Sequence, residues 1–271
     1  MKDFRDKVAV VTGAGSGIGR ALAIQLHRAG CHLALCDLNM DGLEETRGLL
    51  DGEDTRVSLN TVDVSQQEQM DRFAQSALEY HGRVDILLNN AGITNTPTRF
   101  EDIPEDVFSQ VVNVNMWGVY NGLRAFLPYL RDRPEASIVN ISSLAGLVGL
   151  MGYSPYAMSK FAVRGLAESL QMELVGTNVH VLVVHPGGVK TNIIRNAPNL
   201  AESQRESAHQ DFTRFAGLTP EEVARRILKA VEKKRTRLVL GWDAKLIYAI
   251  RMLFPRRFPA ILHAVFSRMP F

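Results

Sequence analysis

Lys7-Val-Ala-Val-Val-Thr-Gly-Ala-Gly-Ser-Gly-Ile-Gly19 is the stretch that decides the fold. Its first half is a short apolar run rich in Val, the composition of a strand buried on both faces of a parallel sheet. Its second half is a glycine turn, and Arg20–Ala29 follows with Leu22, Ile24 and Leu26 at helical spacing. A strand, a Gly-rich turn and a helix N-terminus together cradle a pyrophosphate. The glycines let backbone approach the phosphates, and the free N–H groups and dipole of the helix favour the anion. The spacing is Thr-Gly-x-x-x-Gly-x-Gly, set by Thr12, Gly13, Gly17 and Gly19, and differs from Gly-x-Gly-x-x-Gly.

Outward from this stretch, Leu33–Asp37 is a second apolar strand, and it ends in a carboxylate. An acid about 20 residues beyond the glycine loop accepts both hydroxyls of an adenosine ribose and repels a 2′-phosphate. No basic residue stands in the loop before Gly19, and Leu38 follows the acid, so NAD is favoured over NADP. Further strands are expected at Val57–Val64, Val84–Leu88, Ser137–Ser142 and Val179–Val184, each followed by small or polar residues and then a helical pattern. That alternation calls for a doubly wound α/β fold, a parallel sheet with helices on both faces and a ligand at the carboxyl ends of its strands.

Chemistry is carried by Ser-Ile-Val-Asn-Ile-Ser-Ser (137–143) and Tyr-Ala-Met-Ser-Lys (156–160). Tyr156 and Lys160, four residues apart, share one face of a helix. An ammonium near a phenol favours phenolate, which makes the Tyr an acid or base for an alcohol or ketone oxygen. Ser143, at the end of the preceding strand, is placed to hold that oxygen.

With these residues in order, the chain from about Lys7 to Gly241 resembles the short-chain dehydrogenase/reductase family, which implies a Rossmann fold and an NAD-dependent alcohol dehydrogenase or carbonyl reductase. The resemblance assigns Tyr156 as acid/base, Lys160 to lower its pKa and bind the nicotinamide ribose, and Ser143 to orient substrate. Asn115 matches the Asn that holds a relay water, and Asn113 is assigned a structural role. For the cofactor it implies Gly13, Ser16, Gly17, Ile18 and Gly19 at the pyrophosphate. Asp37 and Leu38 fall at the ribose, and Asp63 and Val64 at the adenine. Asn90, Ala91 and Gly92 fall beside the sheet, and Pro186, Gly187, Val189 and Thr191 fall around the carboxamide. Two other readings were weighed. Tyr153 stands seven places before Lys160, the wider spacing of the enoyl-reductase branch, but that branch has a Met where Tyr156 stands. A non-catalytic dinucleotide sensor is disfavoured by the intact Asn115–Ser143–Tyr156–Lys160 set.

A length of 271 residues with 46% hydrophobic content supplies one substantial core. The reading is one domain over 1–241 with an extension at 242–271, and the resemblance implies a substrate lid at about 190–218. No apolar leader, membrane span, metal-ligand spacing or nucleic-acid motif is read, so the expectation is a cytoplasmic protein, and the resemblance implies a homodimer or homotetramer. Cys31 and Cys36, expected on one strand and ~16 Å apart, read as reduced core thiols. His185 reads as a packing or backbone-bonding residue. Uncharged residues between Ser143 and Tyr156, with Ile193, Ile194, Leu200, Phe212 and Phe215 in the lid, suit a sizeable apolar alcohol or ketone as the small-molecule substrate.

Of 31 basic and 29 acidic residues, 12 basic but only two acidic, Glu232 and Asp243, lie in 225–271, so this end carries a formal +10 and the rest −8. Leu246, Ile247, Ile250, Leu253 and Phe254 follow a one-faced helical spacing. After Pro255 and Pro259, Ile261, Leu262, Val265, Phe266 and Met269 repeat it, with Arg268 among the flanking cations. Three readings stay open for this end: closure over the cleft or a partner subunit, peripheral contact with a membrane surface, or a solvated tail.

Overall fold

The computed structural model describes residue 1 and residues 3–52 and 55–266; Arg268 and Met269 lie outside the described residues. Seven parallel strands form one sheet. They are β1 (Val8–Thr12), β2 (His32–Asp37), β3 (Val57–Thr61), β4 (Ile86–Asn89), β5 (Ala136–Ile141), β6 (Val179–Pro186) and β7 (Arg237–Leu240), in the order β3-β2-β1-β4-β5-β6-β7. The chain order reverses between β1 and β4, which opens a crevice there at the strands' carboxyl ends.

The helices are α1 (Gly17–Arg28), α2 (Met40–Gly48), α3 (Gln67–His81), α4 (Glu105–Val112), α5 (Gly118–Arg131), α6 (Ser154–Glu173), α7 (Arg205–Phe215), α8 (Pro220–Glu232), α9 (Trp242–Leu253) and α10 (Phe258–Phe266). Strand alternation divides the core into two layers. Ala9, Val11, Leu33 and Leu35 meet α1 and α8 on one face of the sheet. Val8, Val10, Ala34 and Cys36 meet α3, α5 and α6 on the other, where Phe73 and Phe126 pack edge to face at 5.6 Å.

The expected strands are present with shifted ends. β3 stops at Thr61, short of Val64, where β2, the strand it pairs with at the sheet edge, ends at Asp37. The short edge strand β7 was missed, since Arg237 and a four-residue run give little pattern to read. Cys31 lies one residue before β2 rather than on it; both thiols are free and buried, and burial pushes their pKa values far up. Among the described residues no helix is long and apolar enough to cross a membrane.

The C-terminal helices pack back on the body. Ala244, Ile247 and Tyr248 of α9, with Phe258 and Leu262 of α10, cover Leu144, Leu147 and Val148 after β5.

Candidate active site

A cleft of about 600 Å³ opens at the carboxyl ends of the strands, above the β1–β4 switch. Its floor is the glycine turn. Gly13 has φ +66°, and a Cβ there would stand 2.8 Å from the backbone of Ala91. Gly17 has φ +52°, with the Thr191 side chain close over it. Both positions demand glycine, by backbone conformation and by close approach. Asn90 ties the floor to β4, its Nδ2 donating to the carbonyls of Thr12 (2.9 Å) and Gly13 (3.2 Å). The Thr12 hydroxyl accepts from the N–H groups of Asn90 and Ala91, both at 3.0 Å.

At one end of the cleft Asp37 closes β2. Its Oδ2 accepts from Gly15 N–H at 2.9 Å, and its Oδ1 from Asn39 N–H at 3.0 Å. The carboxylate is therefore held at the cleft wall by two backbone donors. Arg20 reaches back to the Gly15 carbonyl from below the turn, but its guanidinium is engaged by Glu45 at 2.7 Å and does not line the cleft.

At the other end, α6 presents Tyr156 and Lys160 from adjacent turns. The Lys160 ammonium lies 5.7 Å from the centre of the Tyr156 ring and donates to the Ile141 carbonyl at 3.0 Å. Burial pulls the Lys160 pKa down to about 8. Burial also raises the Tyr156 pKa, against the pull of a hydrogen bond with Ser143. Taking a phenolate out of water disfavours the charged form of Tyr156, and the same burial disfavours the ammonium of Lys160. Ser143 caps a short helical turn, its Oγ accepting from Ala145 N–H at 3.1 Å. His185 bonds backbone as expected: its Nδ1 lies 3.1 Å from the Ser143 carbonyl, so the Nδ1–H tautomer donates there.

Most residues singled out from sequence line this one cleft: Ser16, Ile18, Leu38, Asp63, Val64, Gly92, Pro186, Gly187, Val189 and Thr191, with those above. Gly19 and Asn115 do not. Gly19 lies beneath the turn, where a Cβ would collide with the Gly13 carbonyl. Asn115 stands in a π-helical turn (Asn113–Trp117), fully buried. Its side chain brackets Ile93, accepting from its N–H at 2.8 Å and donating to its carbonyl at 2.9 Å, and also donates to Ser159 Oγ at 3.0 Å. Asn113, assigned a structural role, is exposed instead. In the lid region Ile193, Ile194 and Phe212 line the cleft. Leu200 packs away from it with Ala197, and Phe215 is 83% exposed.

Asp243, counted in the sequence only as a charge of the basic end, belongs to the site. Its carboxylate reaches from α9 to accept from Gly188 N–H at 2.9 Å, which fixes the 186–191 segment at the cleft rim. A lone acid in a strongly basic stretch was the available signal. Val62 and Ile93 also line the cleft without any motif to mark them, and Leu150 does so from the uncharged stretch before Tyr156.

A family model for short chain dehydrogenases matches residues 7–201. The chain belongs to the short-chain dehydrogenase family. An oxidoreductase of Mycobacterium tuberculosis, SadH, is 40% identical over 255 residues, 91% of this chain and 90% of its own length. A short-chain dehydrogenase/reductase of Burkholderia phymatum, solved with NAD, superposes with a TM-score of 0.85 at 31% identity, covering 94% of this chain and 96% of that one. An alcohol dehydrogenase of Thermococcus sibiricus, solved with 5-hydroxy-NADP, gives 0.73 at 29% identity over 87% of this chain and 94% of its own. As in other short-chain dehydrogenases, the seven-stranded parallel sheet is wrapped by helices on both faces.

Proposed function

We propose that the chain is an NAD-preferring alcohol dehydrogenase or carbonyl reductase acting on an apolar secondary or primary alcohol, or on the corresponding carbonyl compound. The observation that carries this reading is one cleft with Ser143, Tyr156 and Lys160 at one end and Asp37 at the other, joined by the glycine turn.

The residues present fit a nicotinamide dinucleotide. The positive-φ glycines 13 and 17 leave the room a pyrophosphate needs, and Asp37 offers acceptors where the adenosine ribose falls. Asp63 and Val64 would flank the adenine, and 186–191 the nicotinamide. Such a cofactor supplies the hydride acceptor or donor. Asp37 favours NAD, because a 2′-phosphate beside it meets like charge and the nearby Arg20 is already held by Glu45.

The chain's own residues move the proton. Tyr156 exchanges it with the substrate oxygen, and Ser143 holds that oxygen by a hydrogen bond. Lys160, with a pKa near 8, is mostly ammonium at neutral pH and stabilises negative charge as it develops on the phenol oxygen. Asn115, bonded to Ile93 and Ser159, positions the β4 loop against α6. The substrate side of the cleft is walled by Leu144, Leu150, Ile193, Ile194 and Phe212, which favours an apolar body around one oxygen.

A panel of apolar alcohols, followed for NADH formation, tests the reading; oxidation of aliphatic or cyclic secondary alcohols is expected. Inactivity on the panel and on the matching ketones with NADH, beside measurable NAD binding, would leave a dinucleotide sensor instead.

A further inference from the structure

Helix α9 has apolar residues on both of its sides. Ala244, Ile247, Tyr248 and Ile250 face inward onto the body. On the opposite side Trp242, Lys245, Leu246, Ala249, Met252 and Leu253 are all exposed. At ~100° per residue they fall within an arc of about 120°. Five of these six are apolar, and the large ones are 50–74% exposed. Phe254 extends the patch into the turn before α10, at 51%. At the other end the Trp242 indole lies against Gly217, two residues past the exposed Phe215 of α7. Scattered exposed side chains are ordinary, but a continuous stripe marks a surface that meets something apolar.

The charge around the stripe is of one sign. Lys245 lies within it, and Arg256 and Arg257 are exposed at the α9–α10 corner. Lys245 also borders a concavity of about 270 Å³ lined by Lys229, Lys233 and Arg235. Of the two acids in this end of the chain, Asp243 is turned inward to Gly188, and Glu232 is exposed at the end of α8, outside the stripe.

We propose that this face docks on an anionic lipid surface. Apolar side chains enter the headgroup boundary while the cations meet lipid phosphates, and Trp242 suits a site that is apolar on one side and wet on the other. A second copy of the chain is the other cover such a stripe could have. A two-fold contact, however, would set Lys245, Arg256 and Arg257 near their own copies or one another's, with no acid among the exposed residues of the stripe to offset them. A bilayer supplies an apolar interior and negative charge together. The inward side of the same helix covers Leu144, which lines the cleft, so the docked surface lies one helix diameter, ~10 Å, from the substrate wall. That last connection rests on the proposed apolar substrate; the docking does not.

The full chain is mixed with vesicles of phosphatidylcholine alone, or of phosphatidylcholine with phosphatidylglycerol, and floated at low salt and at ~1 M salt, where the Debye length falls to ~3 Å. Two variants of exposed residues are compared, Leu246→Asp with Leu253→Asp, and Lys245→Glu with Arg256→Glu and Arg257→Glu. The expected result is flotation with the mixed vesicles at low salt and release at high salt. Binding should weaken ~100-fold or more in the charge variant and be lost in the apolar one, with thermal midpoints unchanged in both. Failure of the parent chain to float with mixed vesicles overturns the proposal. So does equal, salt-independent binding to phosphatidylcholine alone. Absent lipid binding, a fall in solution mass in the Leu246→Asp/Leu253→Asp variant would give the face to a second copy. Lipid binding is read without substrate or cofactor, so its failure leaves the proposed enzymatic activity untouched.

Discussion

Tyr156 and Lys160 are one helical turn apart, yet their proton affinities are set by what covers them. Burial raises the Tyr156 pKa and pulls that of Lys160 down to about 8. Tyr156→Phe keeps the ring and removes the exchangeable proton. Turnover should fall by ~10²–10⁴, while NAD affinity, measured by quenching or calorimetry, stays as in the parent because the turn and Asp37 are untouched. Near-normal turnover in that variant, with Tyr153→Phe inactive, would move the role to Tyr153, whose hydroxyl burial pushes up to about 12. Asp37 sets cofactor choice in the same local way. The parent should prefer NAD to NADP by ~10-fold or more in kcat/KM, equivalent to about 1.4 kcal/mol, and Asp37→Ser should shrink that ratio. Equal use of both cofactors by the parent would sink the assignment. At this scale the sequence was highly legible, because positive-φ glycines and a Tyr–Lys pair one turn apart carry their geometry in their spacing. Solvent exclusion at Tyr156 and Lys160 is not a property of spacing, and only the fold shows it.

Among the elements, α9 is the one whose role the sequence left open. Its inward side and Asp243 show that it braces the cleft rim as well as presenting an outer stripe. Asp243→Ala removes a carboxylate acceptor from a backbone N–H. It should cost about 1–3 kcal/mol in denaturant unfolding and raise the KM for dinucleotide with a smaller change in kcat. Unchanged stability and KM would mean that 186–191 is held by the sheet alone. Exposed Met252→Ala serves as the control and should stay within ~0.5 kcal/mol of the parent. The lid illustrates the limit of element reading. Phe212 and Phe215 lie in the same short helix and have similar apolar character, but only Phe212 turns to the cleft while Phe215 faces solvent. Periodicity says that a helix has a face, but not which neighbour that face meets.

For the whole molecule, burial of imidazoles makes stability depend on acid. His81 and His185 are buried, and desolvation lowers both to about 4 from an ordinary 6.5. Between about pH 6.5 and 4 the unfolded chain binds more protons than the folded one, so stability falls as pH drops through that window. Urea midpoints at pH 7 and near pH 4.5 should separate clearly in the parent. They should separate less in a His81→Gln/His185→Gln variant, in which the carboxylates still titrate. An equal loss in both would show that these imidazoles protonate without unfolding cost.

The sequence by itself determined the alternation of strands and helices, the doubly wound class, and the glycine turn, Asp37 and Tyr–Lys pair of the cleft, because each rests on local spacing: alternation, glycine turns and the reach of one helical turn. Only the tertiary structure decided that Asn115 and Gly19 stand behind the cleft, that Asp243 returns from the far end of the chain to hold Gly188, and that α9 keeps one apolar side outward. Those are contacts between segments far apart in sequence. They depend on which surfaces close over which, and no local pattern encodes that.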